Sequence, residues 1–234
     1  MMMLHSGERI QKVLANIGLA SRRQIDSWIV SGRFTVDGSL AKPGQLVHHP
    51  QKIFFDNKEV IYSEPDDKPR IIMYHKPCGE ICTRSDPQKR MDVFRNLPKI
   101  DNGRWILIGR LDINSSGLLL FTNVGAIAHT IMHPSFQHER CYRIRAYGSF
   151  RPEKLQRLRQ GIFLEEGLCK LVETKYLPYN GQGMNHWIEV KVVQGYNRML
   201  RRMFKTQGLI VNKLIRMKMS DFHLPDKLKP GQYQ

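Results

Sequence analysis

Apolar residues at Ile10, Val13, Leu14 and Ile17 recur at helical spacing, and Gly18 offers a stop for that helix. Ser21-Arg22-Arg23-Gln24 then reads as a capping box. The Ser21 hydroxyl can accept from the backbone N–H of Gln24, and the Gln24 side chain can reach back. Ile25, Trp28 and Ile29 give the second helix one apolar face, and Gly32 ends it. Phe34-Thr35-Val36 alternates like a strand and runs into Asp37-Gly38, a pair suited to a tight hairpin. A second strand pattern follows at Lys52-Ile53-Phe54-Phe55. The pattern predicts a small α–α–β unit over residues 1–62.

Ser63-Glu64-Pro65-Asp66-Asp67-Lys68-Pro69 is polar and holds two prolines, the composition of an interdomain linker over 63–69. From Arg70 the texture changes. Strand-like runs occur at Ile71–Tyr74, Trp105–Ile108, Gly117–Phe121, Tyr142–Ala146 and Trp187–Val193. Helical patterns interleave at Ala126–Met132, Pro152–Arg159 and Met199–Gln207. The irregular order argues against repeated parallel βαβ units. It predicts an α+β domain over 70–234, with a mainly antiparallel mixed sheet and flanking helices.

The 234 residues are 41% hydrophobic, enough for a full domain and a small one, and 25% charged. The charge is lopsided: 37 Lys and Arg against 21 Asp and Glu, a net +16. That excess points to a polyanion, bound through phosphate contacts that weaken with salt. No apolar run approaches the ~20 residues that span a bilayer, so no membrane partner is expected. Met1 to Arg9 has no apolar signal core, which predicts a cytoplasmic protein. The four cysteines are then most simply free thiols.

Against that basic background, Asp112 stands out in Gly109-Arg110-Leu111-Asp112-Ile113-Asn114-Ser115-Ser116-Gly117-Leu118-Leu119-Leu120-Phe121-Thr122-Asn123. An aspartate titrates near ~3.9 in water and needs a cation beside it to stay ionised in a dry groove. So placed, it is a usable nucleophile or base. On local spacing alone the blander reading is favoured: a turn aspartate bonded to its own backbone at Asn114 or Ser115. Tyr142 reads as an ordinary strand tyrosine, and Arg198, Arg201 and Arg202 as a phosphate-binding helix face. His75-x-x-Cys78-x-x-x-Cys82 and His129, His133 and His138 lack the partner spacing of a metal site, so no metal is expected. There is no phosphate-cradling glycine loop of the Walker or dinucleotide type.

Three blocks in the first unit, Arg9-Ile10-Gln11-Lys12-Val13-Leu14-Ala15, Ala20-Ser21-Arg22-Arg23 and Gly32-Arg33-Phe34-Thr35-Val36-Asp37-Gly38, resemble the S4 RNA-binding domain. That resemblance implies that Arg9, Lys12, Ser21, Arg22, Arg23 and Arg33 line a surface for structured RNA. The Gly109–Asn123 stretch, closing with Gly125, resembles the core signature of the pseudouridine synthases. It implies a catalytic role for Asp112. Glu139-Arg140-Cys141-Tyr142-Arg143-Ile144 resembles the block that supplies the family's active-site tyrosine, which falls on Tyr142. Gly195-Tyr196-Asn197-Arg198-Met199-Leu200-Arg201-Arg202-Met203-Phe204 resembles the third motif. Its register gives Arg201 as the cation paired with Asp112, with Arg198 and Arg202 left for phosphate.

The family also implies that Arg110 fills the RNA stack when the target base flips out. Val124, Tyr196 and Met199 depart from the usual pattern, at positions that bear on RNA contacts and on support of the Arg201 helix. Tyr74–Pro87, Val93-Phe94 and Leu97-Pro98-Lys99 look most like the branch that acts on 23S ribosomal RNA. The implied reaction detaches uracil from its ribose, rotates it and rejoins it through C5, an isomerisation that needs no cofactor. Attack at C1′, addition at C6 and proton abstraction at C2′ all fit a lone carboxylate. The alternatives are the same chemistry on 16S rRNA or another 23S uridine, and a non-catalytic RNA-binding factor in ribosome assembly.

Overall fold

The computed structural model describes residues 7–48, 50–62, 68–100, 103–178 and 183–234. Its contacts divide into two units, residues 1–70, 99–105 and 123–125 in one and 71–98, 106–122 and 126–234 in the other. Residues 63–67, most of the predicted linker, lie outside the described residues.

The first unit runs β1 (Glu8–Arg9), α1 (Ile10–Asn16), α2 (Arg22–Val30), β2 (Phe34–Val36), β3 (Ser39–Leu40), β4 (Leu46–Val47), β5 (Ile53–Phe55) and β6 (Lys58–Glu59). The backbone N–H of Gln24 donates to Ser21 Oγ at 3.1 Å, so the outward half of the predicted capping box forms. Asp37 and Gly38 both take positive φ, at 49° and 82°, which a two-residue hairpin requires. Four strands pair antiparallel in the order β3-β2-β5-β6, and β1 pairs with β4. Ile10, Leu14, Ile25, Phe34 and Ile53 are fully buried between helices and sheet. The apolar spacing of the sequence therefore becomes one small core.

The second unit contains β7 (Ile71–Lys76), β8 (Ile106–Ile108), β9 (Ser116–Thr122), α3 (Gly125–Met132), β10 (Arg140–Tyr147), α4 (Pro152–Gln160), β11 (Ile162–Leu164), β12 (Gly167–Cys169), β13 (Glu173–Leu177), β14 (Asn185–Val192), α5 (Met199–Thr206), β15 (Ile210–Met219) and β16 (Phe222–His223). Its sheet runs β13-β14-β10-β15-β9-β7, with β8 added to β9 and β16 to β15. Every pairing is antiparallel except β9 with β15. The architecture is the expected α+β domain with a mixed, mainly antiparallel sheet. Among the described residues no helix is long and apolar enough to cross a membrane.

Two packing facts position the cleft. Strand β9 is buried on both faces, which is why Gly117 to Phe121 reads as a continuous apolar run rather than an alternating one. At its start, a Cβ on Gly117 (φ +107°) would lie 2.3 Å from the carbonyl oxygen of Arg216 and 2.5 Å from its nitrogen. Only glycine lets β9 come that close to β15. Helix α5 buries Met199, Leu200, Met203 and Phe204 in the core with Ile144, Ile188 and Leu214. Its remaining face turns Arg201 toward the loop ahead of β9.

Candidate active site

The loop from Gly109 to Ser115 is held from below. Ser115 N–H donates to the Asp112 carbonyl at 3.0 Å, closing a tight turn. Beneath it lies Lys76, with no exposed surface. Its ammonium donates to the carbonyls of Ser115 (2.8 Å), Pro77 (3.0 Å) and Asp112 (3.1 Å). Burial pushes the Lys76 pKa down, and nearby acidic groups, Asp112 among them, oppose that shift. Gly79 N–H adds a further tie, to the Ile113 carbonyl at 2.7 Å. The turn is thus closed by backbone atoms, and the Asp112 carboxylate makes no hydrogen bond among the described residues. The bland reading, in which the side chain bonds its own turn, does not describe this loop.

The carboxylate instead faces two guanidinium groups. Asp112 Oδ2 lies 3.9 Å from Arg201 Nε and 3.9 Å from Arg198 Nη1. Arg201 is fixed by donation from Nη1 to the Val211 carbonyl (2.7 Å) and from Nη2 to the Asn114 carbonyl (2.9 Å). Its buried Nε has no hydrogen-bond partner among the described residues and is the atom nearest Asp112. Burial first, and then Arg198, lower the Arg201 pKa, while Asp112 raises it. Arg198 itself sits in the left-handed region (φ +48°) at the start of α5, a conformation unusual for a side-chain-bearing residue. The turn before α5 therefore aims two cations at one carboxylate.

Two cavities share the edge formed by Arg110, Leu111 and Asp112. One of about 730 Å³ extends past Cys82, Thr83, Leu107, Met132 and Arg140. The other, of about 90 Å³, is bounded by Tyr142, Val192, Gln194 and Leu214. Tyr196 and Arg198 line both, and Asp112 is the only carboxylate in either lining. Such a cleft favours a polyanion while presenting a single group able to accept a proton or attack carbon.

Motifs far apart in the sequence are thus brought together: Arg110, Asp112, Tyr142 and Arg198 line the smaller cavity, and Arg201 stands 3.9 Å from the Asp112 carboxylate. Arg202, one position on, points away and pairs with Glu166 at 2.6 Å. Of the departures from the family pattern, Tyr196 is 42% exposed on the cleft wall, and Met199 is buried at 3% in the α5 core, where an apolar side chain is in place. Val124 is half-buried. Three residues of this region went unread in the sequence. Lys76 ends a strand and looks like any surface lysine. Arg140 is half-buried and donates to the Val193 carbonyl at 2.6 Å. Arg216 is 1% exposed, donates from Nε to the Leu118 carbonyl at 2.7 Å, and leaves Nη2 without a partner. Arg216 stands two residues from buried Leu214 in the β15 pattern, the one available signal.

In the first unit the candidate RNA residues differ in availability. Arg9, Arg22 and Arg23 are exposed. Ser21 caps α2. Lys12 is paired with Glu8, four residues earlier in β1. Arg33 is bound to Asp56, with Nε donating at 2.9 Å, and its guanidinium lies 4.4 Å over the Phe55 ring and 5.2 Å over Trp28. Three of the candidate histidines are occupied too. His75 bonds the Leu228 carbonyl (2.7 Å), His133 bonds Ser135, and His138 bonds the Thr130 carbonyl (3.1 Å). No group of three metal-ligating side chains occurs among the described residues.

The family model described as RNA pseudouridylate synthase matches residues 70–206, and the S4 domain model matches residues 8–51. A Pseudomonas aeruginosa protein named ribosomal large subunit pseudouridine synthase B is 42% identical over 229 residues, 97% of this chain and 59% of that protein. Proteins of the same name from Haemophilus influenzae and Buchnera aphidicola are 43% and 41% identical, over 97% and 96% of this chain and 64% and 88% of theirs. The chain therefore spans 59% and 64% of the length of the Pseudomonas and Haemophilus relatives. A crystal structure of a pseudouridylate synthase matches with a TM-score of 0.66 at 22% identity, covering 97% of this chain and 95% of that one, a likeness of fold.

Proposed function

The chain belongs to the RNA pseudouridylate synthase family, and on that premise we propose that it isomerises a specific uridine of 23S ribosomal RNA to pseudouridine. The observation that carries the reading is Asp112, a carboxylate with no hydrogen bond among the described residues, in a cleft whose other charged groups are arginines. In the proposed reaction the target uridine leaves the RNA stack and enters the cleft, where the Tyr142 ring offers it a flat partner. Asp112 acts at the sugar or the base to release uracil from ribose, and uracil rejoins through C5. Arg201, fixed by the Val211 and Asn114 carbonyls and 3.9 Å from the carboxylate, aims Asp112 and offsets its charge. Arg198 adds a second positive charge that can also meet a phosphate. Arg110, exposed on the rim, occupies the space that the base vacates. No atom is gained or lost, so the chain's own residues suffice. The reading carries a cytoplasmic location with it.

The test is Asp112→Asn, which keeps the shape and removes the charge. Pseudouridine formation should vanish while RNA binding persists. Substantial residual turnover in that variant would sink the assignment. Mapping pseudouridine in rRNA from cells lacking the protein separates the remaining readings. Loss of one 23S site supports this one, and loss of a 16S site moves the substrate. An unchanged map with defective subunits would make the protein an assembly factor.

A further inference from the structure

The first unit contains a short segment, residues 99–105, that lies outside the part matching the S4 model. Its Gly103 meets the end of α1 backbone to backbone. A Cβ on Gly18 (φ +87°) would lie 2.7 Å from the Gly103 carbonyl oxygen and 3.8 Å from Arg104 Cβ, and one on Gly103 (φ +121°) would lie 3.1 Å from the Asn16 carbonyl oxygen. Two glycines facing each other thus let this segment seat Arg104 against the α1–α2 turn. Arg104 is half-buried and makes no hydrogen bond or ion pair among the described residues. Its charged neighbour is Arg22, at the start of α2. Burial, and then that like charge, push the Arg104 pKa down.

Two neighbouring guanidinium groups with no carboxylate partner among the described residues repel each other, and the fold still holds them together. A shared anion resolves the conflict, since each group offers planar donors matched to phosphate oxygens. Building on the RNA-modifying reading above, we propose that Arg104 and Arg22 form one phosphate-binding site for the RNA backbone, extending the S4-type surface with a residue from outside it. Arg22 is exposed and can reach an incoming strand, while Arg104 is partly dehydrated already and loses less water on binding. Neither residue reads a base, so the site serves affinity and register rather than sequence.

The experiment measures binding of a full-length 23S rRNA transcript across a salt series for wild type, Arg104→Gln, Arg104→Ala, Arg22→Ala and the Arg22→Ala/Arg104→Gln double variant. Arg104→Gln keeps most of the packing volume, and thermal unfolding checks that each variant is folded. Losing one phosphate contact should flatten the log–log salt slope by about 0.7 to 0.9, equivalent to about five- to eightfold weaker binding at 0.1 M salt with convergence near 1 M. The double variant should lose less than the product of the two single losses, because both residues serve one phosphate. Arg104→Gln with wild-type affinity and slope overturns the proposal, as does a strictly multiplicative double variant. A wild-type protein that fails to bind the transcript would instead count against the RNA reading itself.

Discussion

Replacing Lys76 by methionine removes a buried charged group from beneath the Asp112 turn while keeping nearly the same length and shape. The ammonium makes three hydrogen bonds, to the carbonyls of Pro77, Asp112 and Ser115. A hydrogen bond to a charged group contributes about 1.5 to 3 kcal/mol, and a buried carbonyl left unpaired costs about 1 to 3 kcal/mol. Opposing these, methionine spares the desolvation of a buried ammonium, itself several kcal/mol. The balance is a predicted loss of about 3 kcal/mol, equivalent to a fall in Tm of about 6 to 12 °C for a chain of this size. The local effect should be larger than the global one. Two of the three carbonyls belong to the turn that carries Asp112, and a shift of about 1 Å in a reacting group costs about 100-fold in rate. The predicted signature is therefore a kcat reduced about 100-fold with little change in KM, alongside the lower Tm. Single-turnover pseudouridine formation and thermal unfolding on the same preparation provide both readouts. A Lys76→Met protein with wild-type Tm and kcat would refute the idea that this lysine builds the site.

Two further substitutions test the frame around the site. Gly117→Ala forces a Cβ to within 2.3 Å of the Arg216 backbone, where no side-chain motion relieves the clash. The predicted cost is about 3 kcal/mol or more, read as a lower urea midpoint, and a midpoint equal to wild type would show that β9 and β15 separate freely. Glu80 is buried and accepts the Tyr74 hydroxyl at 2.7 and 2.9 Å on its two oxygens. Burial raises its pKa, while the Tyr74 hydrogen bond and Lys76 act against the shift. A folded-state pKa above the unfolded one gives stability that is present at low pH and lost as pH rises through the folded value. Glu80→Gln removes that loss, so its stability relative to wild type should climb as pH rises above the ordinary glutamate range, near ~4.3. Parallel urea-midpoint curves for the two proteins would contradict the assignment.

Much of the architecture was legible because it rests on local chemistry. The Ser21 cap, the Asp37-Gly38 turn and the Ile10–Ile17 face each follow from neighbouring residues, and each forms as read. Asp112 was harder. Its immediate neighbours suit a turn aspartate, and the family pattern was needed to single it out. The structure adds a physical distinction, since backbone atoms close the turn and leave the carboxylate unbonded.

The sequence by itself determined the element types, the two-unit composition, the basic character and the three motifs, because hydrophobic spacing, turn residues and charge act over a few neighbours. Tertiary structure decided what those motifs meet. Lys76, Asp112 and Ser115 converge across 36 and 39 positions of chain, and Arg201 reaches Asn114 across 87. It also decided that residues 99–105 group with the first unit, where backbone contact at Gly18 sets Arg104 beside Arg22. Burial and electrostatic pairing depend on distance in space, and no local pattern encodes the contact that turns an ordinary lysine into the support of a carboxylate.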